Sequence, residues 1–164
     1  MINRNESNME FTFEKNSYYS VEEDIFYSKL TSKYGVKISD FIVLKNNTLI
    51  FIEAKSSAPK NVEDLKSFCE DIYNKFLDTI LVYVGVLNNR KNTISNNITN
   101  NMKNINVLKK EIKLMLIING LEKKYLQDIQ LVLEKSLRKL KYMFSIQSLI
   151  LMNDIQAKSK GFIK

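Results

Sequence analysis

The chain has 164 residues, 45% of them hydrophobic, which suits one domain with a packed core and excludes a disordered polar tail. It has no histidine, one cysteine and a net charge of +7. Without histidine there is no Ser-His-Asp or Cys-His relay, no histidine-dependent zinc site and no histidine general base, so catalysis falls to carboxylates, lysine, tyrosine or a metal held by oxygen ligands.

Charge and cysteine use narrow the class further. Residues 1–80 carry a net −3 and residues 81–164 a net +10. An acidic half joined to a basic half suits a metal centre beside a phosphate-binding surface, and equally suits a lysine-rich solvated surface. No run of eighteen apolar residues occurs, so no transmembrane helix is expected. Met1 to Glu6 lacks an apolar signal core, and a single Cys69 cannot build an intrachain disulfide framework. Both features predict a cytoplasmic protein. Cys69 lies at a helical apolar position and reads as core.

Glu10 to Glu14 alternates polar and apolar, as a short strand does. Tyr18 and Tyr19 follow as packing residues, with base stacking as the alternative. Ser20-Val21-Glu22-Glu23 has the form of a capping box, with Ser20 at the N-cap and Glu23 three residues on. Phe26, Leu30 and Tyr34 continue it as a short helix ended near Gly35, with Glu22 and Glu23 in its first turn.

A hairpin comes next. Ile38–Leu44 and Leu49–Lys55 flank Lys45-Asn46-Asn47-Thr48, and asparagine tolerates the positive φ of a tight turn. That turn places Lys45 against Thr48 and, counting back, Asp40 against Glu53. Lys55 then faces Ile38 on the same side of the sheet as Glu53. The opposite side carries Phe41, Val43, Ile50, Ile52 and Ala54, so both faces call for cover.

Asn61 caps a helix with Asp64 at its third position, and Val62, Leu65, Phe68, Cys69, Ile72, Tyr73, Phe76 and Leu77 recur at helical spacing. Leu81–Leu87 fits a continuation of that helix or a strand, and the helix is favoured. Residues 88–106 are polar and predict a loop with one weak helix near Ile98–Ile105. Leu114–Ile118 reads as an interior strand. Leu121–Leu140 reads as a helix whose outer face carries Lys123, Lys124, Lys135, Arg138 and Lys139. Ile146–Met152 predicts a strand and Asp154–Ser159 a final helical turn before Gly161.

Like charges directly across a strand pair repel, and Asp40 and Glu53 sit in that relation with Cβ atoms about 5 Å apart. A shared cation turns this repulsion into a binding site, and hard oxygen ligands favour Mg²⁺, Mn²⁺ or Ca²⁺. Lys55, two residues beyond Glu53 and on the same face as it, is placed to meet a phosphate. The bland alternative leaves Asp40 and Glu53 as solvated strand-end residues, with Lys55 pairing one of them.

The order of a helix with glutamate, a hairpin bearing Asp and then Glu-x-Lys, a helix and a strand resembles the PD-(D/E)XK nuclease superfamily, over Glu22–Lys55 and more loosely to Ile118. The resemblance implies a restriction-endonuclease-like α/β fold, a central mixed β-sheet flanked by α-helices. It implies a single domain over 1–164, with a catalytic core at about 20–120 and a basic extension at 121–164. It further implies a metal-dependent nuclease acting on DNA, with Asp40, Glu53, the Ala54 carbonyl and Glu23 (or Glu22) holding Mg²⁺ or Mn²⁺. Lys55 is then the catalytic lysine, and a homodimer or a partner protein is expected. The basic helix residues would grip nucleic acid. A catalytically inactive member, serving as a nucleic-acid-binding or protein-interaction module, is the alternative. Two departures stand out: Ser39 replaces the usual proline, and only Val36–Ser39 separates helix from Asp strand. The strand usual there is missing, displaced, or replaced by Phe11–Phe13.

Overall fold

The computed structural model describes residues 1–164, the side chain of Val62 excepted. Its first element is a hairpin, β1 (Ile2–Glu6) against β2 (Met9–Phe13), turned by Ser7 and Asn8 at φ 51° and 62°. Only its second strand is foreseen by the sequence, because Ile2 is the sole apolar residue of β1. A two-residue strand β3 (Tyr18–Tyr19) follows.

The capping box does not form. Ser20 is extended and its side chain makes no cap bond; residues 21–23 make only a 3₁₀ turn. The buried Asp24 accepts a hydrogen bond from the Tyr19 hydroxyl at 2.5 Å, and Asp24 itself is extended, which ends that turn. Helix α1 (Tyr27–Tyr34) therefore starts later, leaving Glu22 and Glu23 outside it, and stops at Gly35, whose φ of 63° suits glycine.

Strands β4 (Phe41–Lys45) and β5 (Thr48–Lys55) form the central hairpin in the register the turn dictates, from Lys45↔Thr48 to Phe41↔Ile52. Asn46 and Asn47 have φ 50° and 63°. Helix α2 (Val62–Leu87) runs unbroken for 26 residues, so Leu81–Leu87 continues it; Asn61 accepts from the Asp64 N–H at 2.8 Å. The polar stretch after it holds one helical turn, α3 (Asn100–Lys103), between two 3₁₀ turns. Strand β6 (Glu111–Ile118), helix α4 (Lys123–Met143), strand β7 (Ser148–Asn153) and helix α5 (Asp154–Ser159) complete the chain.

The result is an α/β architecture around a mixed five-stranded sheet ordered β3-β4-β5-β6-β7. The first three strands are antiparallel and the last three parallel. The strand beside β4 is Tyr18–Tyr19, which precedes α1 in the chain, whereas Phe11–Phe13 belongs to the N-terminal hairpin. Tyr18 and Tyr19 are both buried and pack.

Each face of the sheet has its own core. Ile42, Leu49, Phe51, Leu114 and Leu116 pack with Cys69, Ile72, Phe76 and Ile80 of α2 and Leu133 and Leu137 of α4. Phe41, Ile52, Met115 and Met152 pack under Phe11 and Phe13 of the hairpin, Ala157 of α5 and Ile163. Burial of both faces explains the continuous apolar runs of β5 and β6. Among the described residues no helix is long and apolar enough to cross a membrane.

Candidate active site

Asp40 stands one residue before β4, and the hairpin register, extended by one pair, sets it against Glu53. Its Oδ2 accepts the Ala54 N–H at 2.6 Å, so the carboxylate completes the ladder where the strand has ended. Glu53 is 0% exposed. Its Oε1 receives two ammonium groups, Lys75 at 2.7 Å and Lys55 at 3.2 Å. Its Oε2 is buried with no hydrogen-bond partner. An orphaned carboxylate oxygen is costly to bury. Lys55 also reaches Asp71 Oδ2 at 3.3 Å.

Positions 40, 53 and 55 therefore meet at one end of the sheet, on the face covered by α2. That helix supplies a polar rail. Asp71 binds Lys55 and, at 2.8 Å, Lys37; Lys75 binds Glu53; Asp78 accepts the Lys37 N–H at 2.9 Å; Thr79 accepts the Ser39 N–H at 2.6 Å. Sequence reasoning missed these four. Their signal is a set of polar residues at i, i+4, i+7 and i+8 within an apolar helix, which is also what a solvent-facing stripe looks like.

Burial pushes the Asp40 carboxyl up to about 8, and the Glu53 charge adds to this. Burial also raises Glu53, against the opposing pull of Lys75 and Lys55. For Lys75, burial disfavours the charge but Glu53 outweighs it, and the net shift is upward. Burial likewise works to raise Asp71, but Lys37 and Lys55 carry it below the ordinary carboxylate range.

The two glutamates before α1 diverge. Glu23 is taken by the Arg4 guanidinium at 2.7 Å and the Tyr18 hydroxyl at 3.0 Å. Glu22 is an exposed residue whose carboxyl is raised by partial burial and by Glu6 and is pulled down by Lys75. Glu6, at the end of β1, also acts on Asp40. Nothing in the sequence near Glu6 signals this, because the hairpin tip reaches the site only through tertiary contact. Ser7 Oγ donates to the Ala54 carbonyl at 3.0 Å, and Asn119 donates to the Ser7 carbonyl at 3.3 Å. The Ala54 oxygen thus already has one partner, with a second lone pair left.

Comparison with family models, curated proteins and solved structures gave no match.

Lys123, Lys124, Lys135, Arg138 and Lys139 are all exposed on α4. Lys124 pairs with Glu122 at 2.8 Å. The helix starts just after Asn119, whose N–H bonds the Lys55 carbonyl at 2.8 Å, so Lys123 and Lys124 lie toward the site. Lys135 to Lys139 lie roughly 18–24 Å farther along the axis. Among the described residues, no three His, Cys, Asp or Glu side chains form a ready-made metal cage. Any cation there would rest on Asp40 and Glu53, with the Ala54 carbonyl or water completing its shell.

Proposed function

We propose that this chain is a divalent-metal-dependent nuclease of the restriction-endonuclease-like fold, hydrolysing phosphodiester bonds in DNA. The observation that carries the reading is the Glu53 carboxylate, fully buried beside Asp40 with one oxygen unpartnered. A hard cation satisfies that oxygen and cancels the repulsion between the two acids. Asp40 uses Oδ2 on Ala54 and keeps Oδ1 for a ligand. The donor set, oxygen throughout, fits Mg²⁺ or Mn²⁺.

In this reading Asp40 and Glu53 hold the ion, and Glu22 is left to assist, since Glu23 is engaged by Arg4 and Tyr18. Such an ion supplies an acidified water and draws charge from the phosphoryl oxygens. Lys55, suspended between Glu53 and Asp71, meets the negative charge that develops at phosphorus. The exposed lysines and Arg138 of α4 hold the backbone of the nucleic acid. One such site cuts one strand, so a duplex break calls for a second copy or a partner protein.

Plasmid nicking tests this. Relaxed circles should appear with Mg²⁺ or Mn²⁺, vanish in EDTA, and fall at least about 100-fold in Glu53→Ala and Lys55→Ala. Cleavage that survives EDTA or both substitutions overturns the assignment. One observation favours the non-catalytic alternative: Glu53 Oε1 already carries two ammonium groups, as an inert buried ion cluster would. That alternative predicts a salt-sensitive DNA gel shift without cleavage.

A further inference from the structure

Glu53 is served unevenly. Both ammonium groups sit on Oε1, and Oε2 has none. Lys55 divides itself between Glu53 at 3.2 Å and Asp71 at 3.3 Å, whereas Lys75 makes the shorter contact, at 2.7 Å. Lys75 is therefore the principal counter-charge of a carboxylate that has no access to water.

Its backbone is pinned, and its ammonium is held through Glu53. Thr79 Oγ1 donates to the Lys75 carbonyl at 2.6 Å and accepts the Ser39 N–H at 2.6 Å, pinning this turn of α2 beside Asp40. The four-carbon stem is flexible enough for the ammonium to swing once the bond to Glu53 is given up. Three other acids act on it: Asp40; Asp71, one turn back on α2; and Glu22, before α1. A displaced ammonium has somewhere to go.

We propose that Lys75 is a built-in counter-cation: it occupies Glu53 in the metal-free protein and yields when a divalent ion engages that carboxylate. Ion uptake is then an exchange of one cation for another. Lys75 is a positioning residue in this scheme, acting on the ion through Glu53. The proposal rests on the nuclease reading only in requiring that a divalent ion binds at all. The exchange has two consequences of opposite sign. The lysine keeps the empty site folded by covering a buried charge, and it weakens the ion by competing for its ligand.

The test is Lys75→Gln, compared with wild type by Mn²⁺ calorimetry on chelator-stripped protein and by melting in EDTA. Without metal the variant should melt about 5–15 °C lower, because removing one partner strands a buried charge. Its Mn²⁺ affinity should nevertheless rise about fivefold or more. A merely structural lysine would give equal or weaker binding, and that result overturns the proposal. Lys75→Arg should restore the melting temperature in EDTA. If Lys75→Gln fails to fold in chelator, the Glu53→Gln/Lys75→Gln pair, which carries neither charge, should fold; failure of both overturns the counter-charge role. Wild-type protein that takes up no Mn²⁺ sinks the nuclease reading together with the exchange. Wild type that binds while Lys75→Gln gains nothing sinks the exchange alone.

Discussion

Asp40 shows what a single buried carboxyl costs and when. Its ordinary value is 3.8, and burial with the neighbouring Glu53 charge carries it to about 8. A group whose folded form holds its proton more tightly than the unfolded chain stabilises at low pH and loses that contribution as pH rises. In EDTA, wild-type stability should therefore decline between about pH 4 and pH 8. Asp40→Asn is neutral throughout, and its amide oxygen can still accept the Ala54 N–H. The two proteins should match near pH 4 to within about 1 kcal/mol. By pH 9 the asparagine variant should be the more stable, by at most about 6 kcal/mol. Urea titrations at three pH values measure this. Parallel curves from pH 4 to 9 would mean that Asp40 is not forced to ionise in a dry setting.

At the level of elements, the central hairpin was legible because its turn is chemically explicit. Two asparagines at φ 50° and 63° make a two-residue loop, the loop fixes the register, and the register places Asp40 against Glu53. Asn46→Val puts a β-branched residue where φ is positive and should cost about 1–2 kcal/mol in urea unfolding. Asn47→Gly should cost nothing or stabilise slightly, because glycine takes that conformation freely. If Asn46→Val costs nothing, the turn is not what sets the register. The elements that escaped sequence reading failed for definable reasons. Strand β3 has two residues, too few to show a period, and β1 has one apolar side chain. The Ser20–Glu23 pattern was present, but Asp24 bonded to the Tyr19 hydroxyl holds the chain extended. The site divides the same way. Asp40, Glu53 and Lys55 could be found because side chains alternate along a strand. Asp71, Lys75 and Thr79 could not, since a helix does not announce which of its polar residues crosses the end of a sheet.

The whole molecule is electrically lopsided, and the basic half offers its own test. Lys135, Arg138 and Lys139 are exposed on α4, and no acidic side chain within salt-bridge distance claims them among the described residues. They lie roughly 18–24 Å along the helix from Lys123, and none of them is a ligand of the proposed ion. If they hold a phosphate backbone, each contact releases a bound counterion and steepens the salt dependence of binding. Replacing all three with serine should weaken binding to a duplex oligonucleotide in EDTA. It should also lower the slope of log affinity against log salt by up to about 2.7. Fluorescence anisotropy at 50–200 mM salt, roughly the range where such contacts dominate, reads both quantities. The rise in melting temperature with Mn²⁺ should be the same in the variant and the wild type, since the ion's ligands lie elsewhere. Unchanged affinity and slope would make this face a solvated surface, leaving the DNA to be held by other residues. A lost Mn²⁺ response would instead mean that α4 had moved against α2, and that the triple substitution had reached the site through the core the two helices share.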